Sequence, residues 1–233
     1  MNGLTAVVGV DGCRDGWIAV TAAPDLSRAA ASHHGSLASL IEANPTAMIA
    51  VDMPIGLVSD AEGRGADAAA RAILGPRRSS VFTPPCREAL YAPDYLAANA
   101  AQRRVTGKGL SKQAWMIAPK MREADAALTP ALQGRVIEGH PEVAFALAVG
   151  APMTAHKARF HGHYERVRVL TRLGLRPEAL AAALPNAIDA QPDDLIDACI
   201  LAHVGARALR GEALRIPERP RIDDRGLRME IWG

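Results

Sequence analysis

Apolar positions in the first quarter of the chain come in short runs, not in long helical stripes. Val7, Val8 and Val10 read as a buried strand, and residues 16–22, "GWIAVTA", as a second. The Gly- and Asp-rich "DGCRDG" between them predicts a hairpin turn. "RAAASHHG" reads as a third, weaker strand, and "SLASLIEAN" as a helix with Ser36 placed to cap it. A further apolar run, "AMIAVDMPIG", is broken by Asp52 and then Pro54. The pattern is β-β-β-α-β, its fourth strand returning parallel to the first through a helical crossover.

The middle of the chain has a different pattern. "ADAAARAILG" and "DYLAANAAQRR" are helical and flank "GPRRSSVFTPP", which Gly and Pro mark as a loop. "SKQAWMIAPKMREADAAL" predicts a further helix interrupted at Pro119. Strand character resumes at "RVIEGHPEVAF", where period-two alternation sets Val136, Glu138 and His140 on one face before Pro141 ends the strand. "QPDDLIDACILAHVGARAL" reads as an apolar helix with Asp193 and Asp194 at its start. The organisation expected is one domain over residues 1–233 with a basic helical insertion at about 60–130.

Composition narrows the class. With 49% hydrophobic residues in 233, a substantial core is available, so wholesale disorder is excluded. A net charge of only +2 does not by itself imply nucleic acid, but it hides a local excess. Between Arg64 and Arg122 there are 11 Lys/Arg against 3 Asp/Glu. Arg77 and Arg78, before Ser79 and Ser80, and Lys112 and Lys120, on or near one helical face, are therefore candidates for contact with phosphate. The alternative is an ordinary solvated surface. Three cysteines without a CxxC pair fit a reducing cytoplasm. No apolar run approaches the roughly 18 residues of a membrane span, and the N-terminus lacks a signal-type core.

The candidate chemistry lies in the acids. Asp11, Asp52 and Glu138 stand at or near the ends of three strand-like runs, and Asp194 and Asp197 share one face of the late helix. Adjacent strands lie about 4.8 Å apart, so such carboxylates can share a cation. An all-oxygen set suits Mg²⁺ or Mn²⁺ better than zinc. A pair of such ions would support phosphodiester hydrolysis with no covalent nucleophile. Each acid also has a plain structural reading. Asp11 and Asp52 suit turns, Glu138 could pair with an arginine, and Asp193 or Asp194 could cap the helix. Asp197 resists that reading, because it lies past the first turn and Ile200 and Leu201 beyond it are apolar. His140 shares the Glu138 face, as a proton-transfer or phosphate-contacting group or as a structural hydrogen bonder. His156, His161 and His163 read as solvated surface.

The order of elements, with an Asp on the first strand, an acid on the fourth and "DLIDA" on a late helix, resembles the RNase-H-like fold. More closely, "VGVDGCRDGW", "IAVDMPIGL", "GPRRSSVF", "LSKQAWMIAPKMRE", "IEGHPEVAF", "DDLIDA" and "GLRMEIW" resemble family 429 of the domains of unknown function, which are predicted RNase-H-like nucleases. The resemblance runs from residue 8 to the C-terminus. It implies a mixed sheet with helices on both faces and a metal-dependent nuclease, with nucleic acid of unspecified type as partner; the cytoplasmic location expected rests on the cysteines and the lack of a signal-type segment. Two other readings stay open: a non-catalytic module binding nucleic acid or another partner, and an actin-like ATPase. Length and the lack of a Walker-type loop weaken the ATPase.

Overall fold

The computed structural model describes residues 3–233. β1 (Ala6–Cys13), β2 (Gly16–Ala22), β3 (Ala30–His34), β4 (Ala47–Val51) and β5 (Val136–Glu138) form one sheet in the order β3-β2-β1-β4-β5. β1 pairs antiparallel with β2 and parallel with β4, and β5 lies parallel to β4, so the sheet is mixed. The crossover between β3 and β4 is α1 (Leu37–Ala43), where the Ser36 hydroxyl accepts the Ser39 N–H at 3.1 Å. The β-β-β-α-β order read from the sequence is present.

The hairpin differs in one respect. The strand runs straight through Asp11, Gly12 and Cys13, with Asp11 in register with Ile18, and only Arg14 and Asp15 form the loop. Asp11 is therefore a strand residue and not a turn residue.

The central strands are apolar on both faces because both faces are covered. Val7, Cys13, Ile18 and Val20 join a core with the late helix Pro192–Arg210, while Val8, Val10, Trp17 and Ala19 join a second core with Leu37, Leu40 and Ile41 of α1. Between β4 and β5 come α2 (Gly65–Leu74), α3 (Arg87–Leu90), α4 (Tyr95–Thr106), α5 (Lys112–Met116) and α6 (Ala118–Ala127). Ala118, Met121 and Ala124 of α6 sit in the α1-side core, so part of the helical segment expected as an insertion is also a cover for the sheet. The helix expected across Pro119 is two helices. Pro119 occupies the first turn of α6, where its missing N–H leaves no bond unmade. Lys112 and Lys120 thus belong to different helices.

After β5 follow α7 (Pro141–Val149), α8 (Phe160–Arg172), α9 (Pro177–Ala181) and α10 (Pro192–Arg210), then the short pair β6 (Arg215–Ile216) and β7 (Ile231–Trp232). α10 packs against β1, β4 and β2. A Cβ at Gly9 would lie 2.0 Å from the Ala198 carbonyl oxygen and 2.1 Å from the Ala202 nitrogen, so only glycine allows the helix to lie this close to β1.

Candidate metal centre

Alternation along β1 sends Gly9, Asp11 and Cys13 to one face. Gly9 brings α10 onto that face, and Asp197, in the second turn of α10, comes with it. Asp52 is the first residue past β4, and its N–H donates to the Val10 carbonyl at 2.9 Å, which carries the β1–β4 pairing one residue further. One ligand oxygen from each of Asp11, Asp52 and Asp197 lies within 4.8 Å of the other two. Three separate elements therefore deliver three carboxylates to one point.

Such a set repels itself. Burial, with Asp52, Asp197 and Asp194 nearby, holds the Asp11 carboxyl well above the usual range. Desolvation lifts Asp52 to about 6 against the pull of Lys157, with Glu142 and Asp194 adding to the rise. Burial likewise lifts Asp197 to about 7, opposed by Lys157 and reinforced by Asp52. Asp11 and Asp197 are only 8% and 2% exposed, so water screens them poorly. The Gly12 N–H donates to Asp11 Oδ1 at 2.7 Å, while Asp197 Oδ1 is buried with no hydrogen-bond partner.

Lys157 is the residue that sequence reading missed. Its Nζ lies 2.6 Å from Asp197 Oδ2 and 3.0 Å from Asp193 Oδ2. Burial acts to lower the ammonium pKa, but Asp197, Asp11 and Asp193 outweigh it and hold it above its ordinary value. Lys157 arrives on the loop between α7 and α8, next to His156, one of the three histidines that read as solvated surface.

The other acids have different partners. Glu138 does not join the three aspartates; it accepts from the Arg64 guanidinium and from the Ile55 N–H at 2.7 Å. Arg64, itself buried, also lies 3.2 Å from Asp67. One guanidinium thus serves two buried carboxylates, and burial lifts the Glu138 carboxyl to about 7 against the pull of Arg64; Glu138 has the arginine partner and lies outside the three-aspartate group. Asp194 Oδ2 accepts the Gln191 N–H at 2.8 Å, the helix-capping alternative, and its carboxyl acts on the aspartate trio through its field. His140 is half-buried at the start of α7, with Nδ1 free of any partner, and shares a small recess with Asp52, Arg64, Asp67 and Glu138. Burial lowers its pKa, leaving it neutral at pH 7.

The basic residues divide. Arg77 faces Glu142 at 3.6 Å, and Lys120 donates to the Gly16 carbonyl at 2.6 Å while lying over the Trp17 ring. Both are tied into the fold, contrary to a free phosphate-binding role. Arg78 and Lys112 are exposed. Much of the local basic excess answers acids outside the counted window: Glu138, Glu142, Asp125 and Asp223.

Fold and site together define a mixed α/β protein with a buried carboxylate cluster where β1, the end of β4 and a late helix meet. Residues 9–222 match the model of a family described as "Protein of unknown function (DUF429)", and the chain belongs to that family. No curated protein and no solved structure matches the chain. Among the described residues, no helix is long and apolar enough to cross a membrane.

Proposed function

We propose that this protein is an RNase-H-like, metal-dependent nuclease that hydrolyses phosphodiester bonds at Asp11, Asp52 and Asp197. The observation that carries the reading is the meeting of the three carboxylates within 4.8 Å, from two neighbouring strand ends and one helix. Sheet order β3-β2-β1-β4-β5 with α10 on one face supports the RNase-H-like assignment. The donor set is all oxygen, buried and short of positive charge, which suits Mg²⁺ or Mn²⁺. When bound, such an ion supplies Lewis-acid charge to the phosphoryl oxygens. Neutral His140, with its free Nδ1 in the recess beside Asp52, is positioned to hydrogen-bond substrate or take up a proton. Exposed Arg78 and Lys112 are the cations left to meet backbone phosphates. Three free, buried cysteines fit a reducing compartment.

One observation favours a second reading, a binding module without turnover: the Lys157 ammonium already neutralises Asp197. Cleavage of mixed DNA and RNA substrates in Mn²⁺, run beside a binding assay in Ca²⁺, separates the two. The nuclease reading expects an active parent and an Asp197→Asn variant that is folded, binds and does not cut. Binding without cleavage by the parent on any nucleic acid would assign the module reading instead.

A further inference from the structure

A second group of side chains able to ligate metal lies at the tip of the β1–β2 hairpin, next to the aspartate trio but sharing no residue with it. Cys13 Sγ is 3.4 Å from Asp15 Oδ1, and His33 Nε2 of β3 is 3.2 Å from the same oxygen. All three ligand atoms lie within 4.8 Å of one another. We propose that Cys13, Asp15 and His33 form a site for zinc or a similar borderline transition-metal ion, with a fourth position left for water or an exogenous group.

The spacing suits this. Zn–S bonds of about 2.3 Å and Zn–N or Zn–O bonds of about 2.0–2.1 Å at tetrahedral angles set sulfur about 3.5 Å from oxygen, and nitrogen about 3.3 Å from oxygen. The observed 3.4 and 3.2 Å match both edges. A plain His–Asp hydrogen bond explains the group less well. His33 Nε2 is buried and has no hydrogen-bond partner, because its contact with Asp15 lacks the alignment of one.

The surroundings are built to hold these ligands. A Cβ at Gly16 would lie 2.3 Å from the His34 carbonyl oxygen and 2.5 Å from His33 Nε2, so glycine there admits both the β3 backbone and the imidazole against the hairpin. Asp15 Oδ2 accepts the Asp189 N–H at 3.3 Å, and the Asp189 carboxylate holds Arg14 at 3.1 Å, which ties the loop to the segment before α10. Cys13 is 5% exposed, whereas the Asp15 side chain is 43% exposed, so the site has a dry floor and an open mouth.

The chemistry differs from that of the trio. Thiolate and imidazole favour zinc, cobalt or copper, and three carboxylates favour magnesium or manganese. Asp11 and Cys13 point to the same face of β1 with Cα atoms about 7 Å apart, so the two sites are neighbours without a shared ligand.

The test uses the full chain, stripped by a chelator and titrated with Co²⁺. One equivalent is expected to bring a near-ultraviolet thiolate-to-cobalt charge-transfer band with the visible bands of a four-coordinate ion, both removed by Zn²⁺. Cys13→Ser should abolish the ultraviolet band, and His33→Gln should weaken Co²⁺ binding at least about tenfold. Asp52→Asn should leave both unchanged, which separates this site from the trio. His33 is partly exposed, so its variant keeps the test decisive if Cys13→Ser fails to fold. No thiolate band in the parent, a band retained in Cys13→Ser from Cys86 or Cys199, or parental affinity in His33→Gln would each overturn the assignment.

Discussion

Gly9→Ala isolates the step by which the fold builds its centre. The added methyl group would lie 2.0 Å from the Ala198 oxygen and 2.1 Å from the Ala202 nitrogen, both backbone atoms of α10 that cannot rotate aside. Ordinary contact begins near 3.4 Å, so α10 must withdraw by about 1.4 Å or β1 must distort. Overpacking costs about 1–3 kcal/mol, and a clash with helix backbone belongs at about 3. At about 2–4 °C per kcal/mol for a chain of this length, the melting temperature should fall by about 6–12 °C. The same withdrawal carries Asp197 away from Asp11, beyond the few tenths of an ångström that a metal site tolerates, so Mn²⁺ affinity should drop at least about tenfold. Gly12→Ala is the control. It lies on the same strand, and its nearest neighbours are the Trp17 ring and the Lys120 stem at 3.7–3.9 Å, so it should melt within about 2 °C of the parent. Thermal melts and Mn²⁺ calorimetry on both variants decide the matter. A Gly9→Ala protein as stable as Gly12→Ala would refute the seating of α10 on β1, and with it the route by which Asp197 reaches the site.

Other expectations follow from the charges. Asp11 titrates above its ordinary 3.8 in the fold, so it favours the native state when protonated; that stability is present at low pH and lost as pH rises through the raised value. In chelator, Asp11→Asn should therefore gain on the parent as pH climbs from about 4 toward 7, in paired thermal melts; parallel profiles would remove Asp11 from the cluster. Glu138→Gln takes from the buried Arg64 one of its two counter-charges and leaves Asp67, so it should lower stability in urea melts by less than the roughly 3–5 kcal/mol of a fully broken buried pair, yet leave Mn²⁺ affinity unchanged. A loss of Mn²⁺ binding there would restore Glu138 as a ligand. Lys157→Met should melt lower than the parent in chelator and bind Mn²⁺ more tightly by calorimetry, since the competing ammonium is gone. Equal affinity would mean that Lys157 and the cation do not compete.

The strands were legible because both faces of β1 and β4 are covered, which leaves near-continuous apolar runs, and Asp11 and Asp52 stood out by interrupting them. Asp197 was legible for the same reason on α10. Glu138 broke an apolar run just as visibly, but its partner Arg64 lies 74 residues earlier, and nothing in local spacing reports an ion pair of that range. The basic middle segment misled in the same way. A window of sequence counts charges, but the acids that neutralise Arg77 and Arg87 lie outside it, at Glu142, Asp125 and Asp223. For Lys157 there was a faint signal. The chain has only four lysines among 27 basic residues, and Lys157 alone lies beyond Lys120. Where arginine is the default cation, a lone lysine marks a place that needs a compact point charge and not a planar fork.

That point charge also bears on what the centre can accept. Asp11, Asp52, Asp197 and Asp193 bring four carboxylates to the neighbourhood of one ammonium, so in fully ionised form they leave three negative charges uncompensated. Without a cation, the protein meets part of this deficit with protons, which is what the raised Asp11, Asp52 and Asp197 values express. One divalent ion would leave a single negative charge, and a phosphate group entering beside it would meet repulsion. Two would leave a single positive charge, which a phosphodiester cancels. On the proposed nuclease reading, this balance, which Asp194 and Glu142 make more negative still, would favour a phosphodiester entering a doubly loaded centre over a singly loaded one.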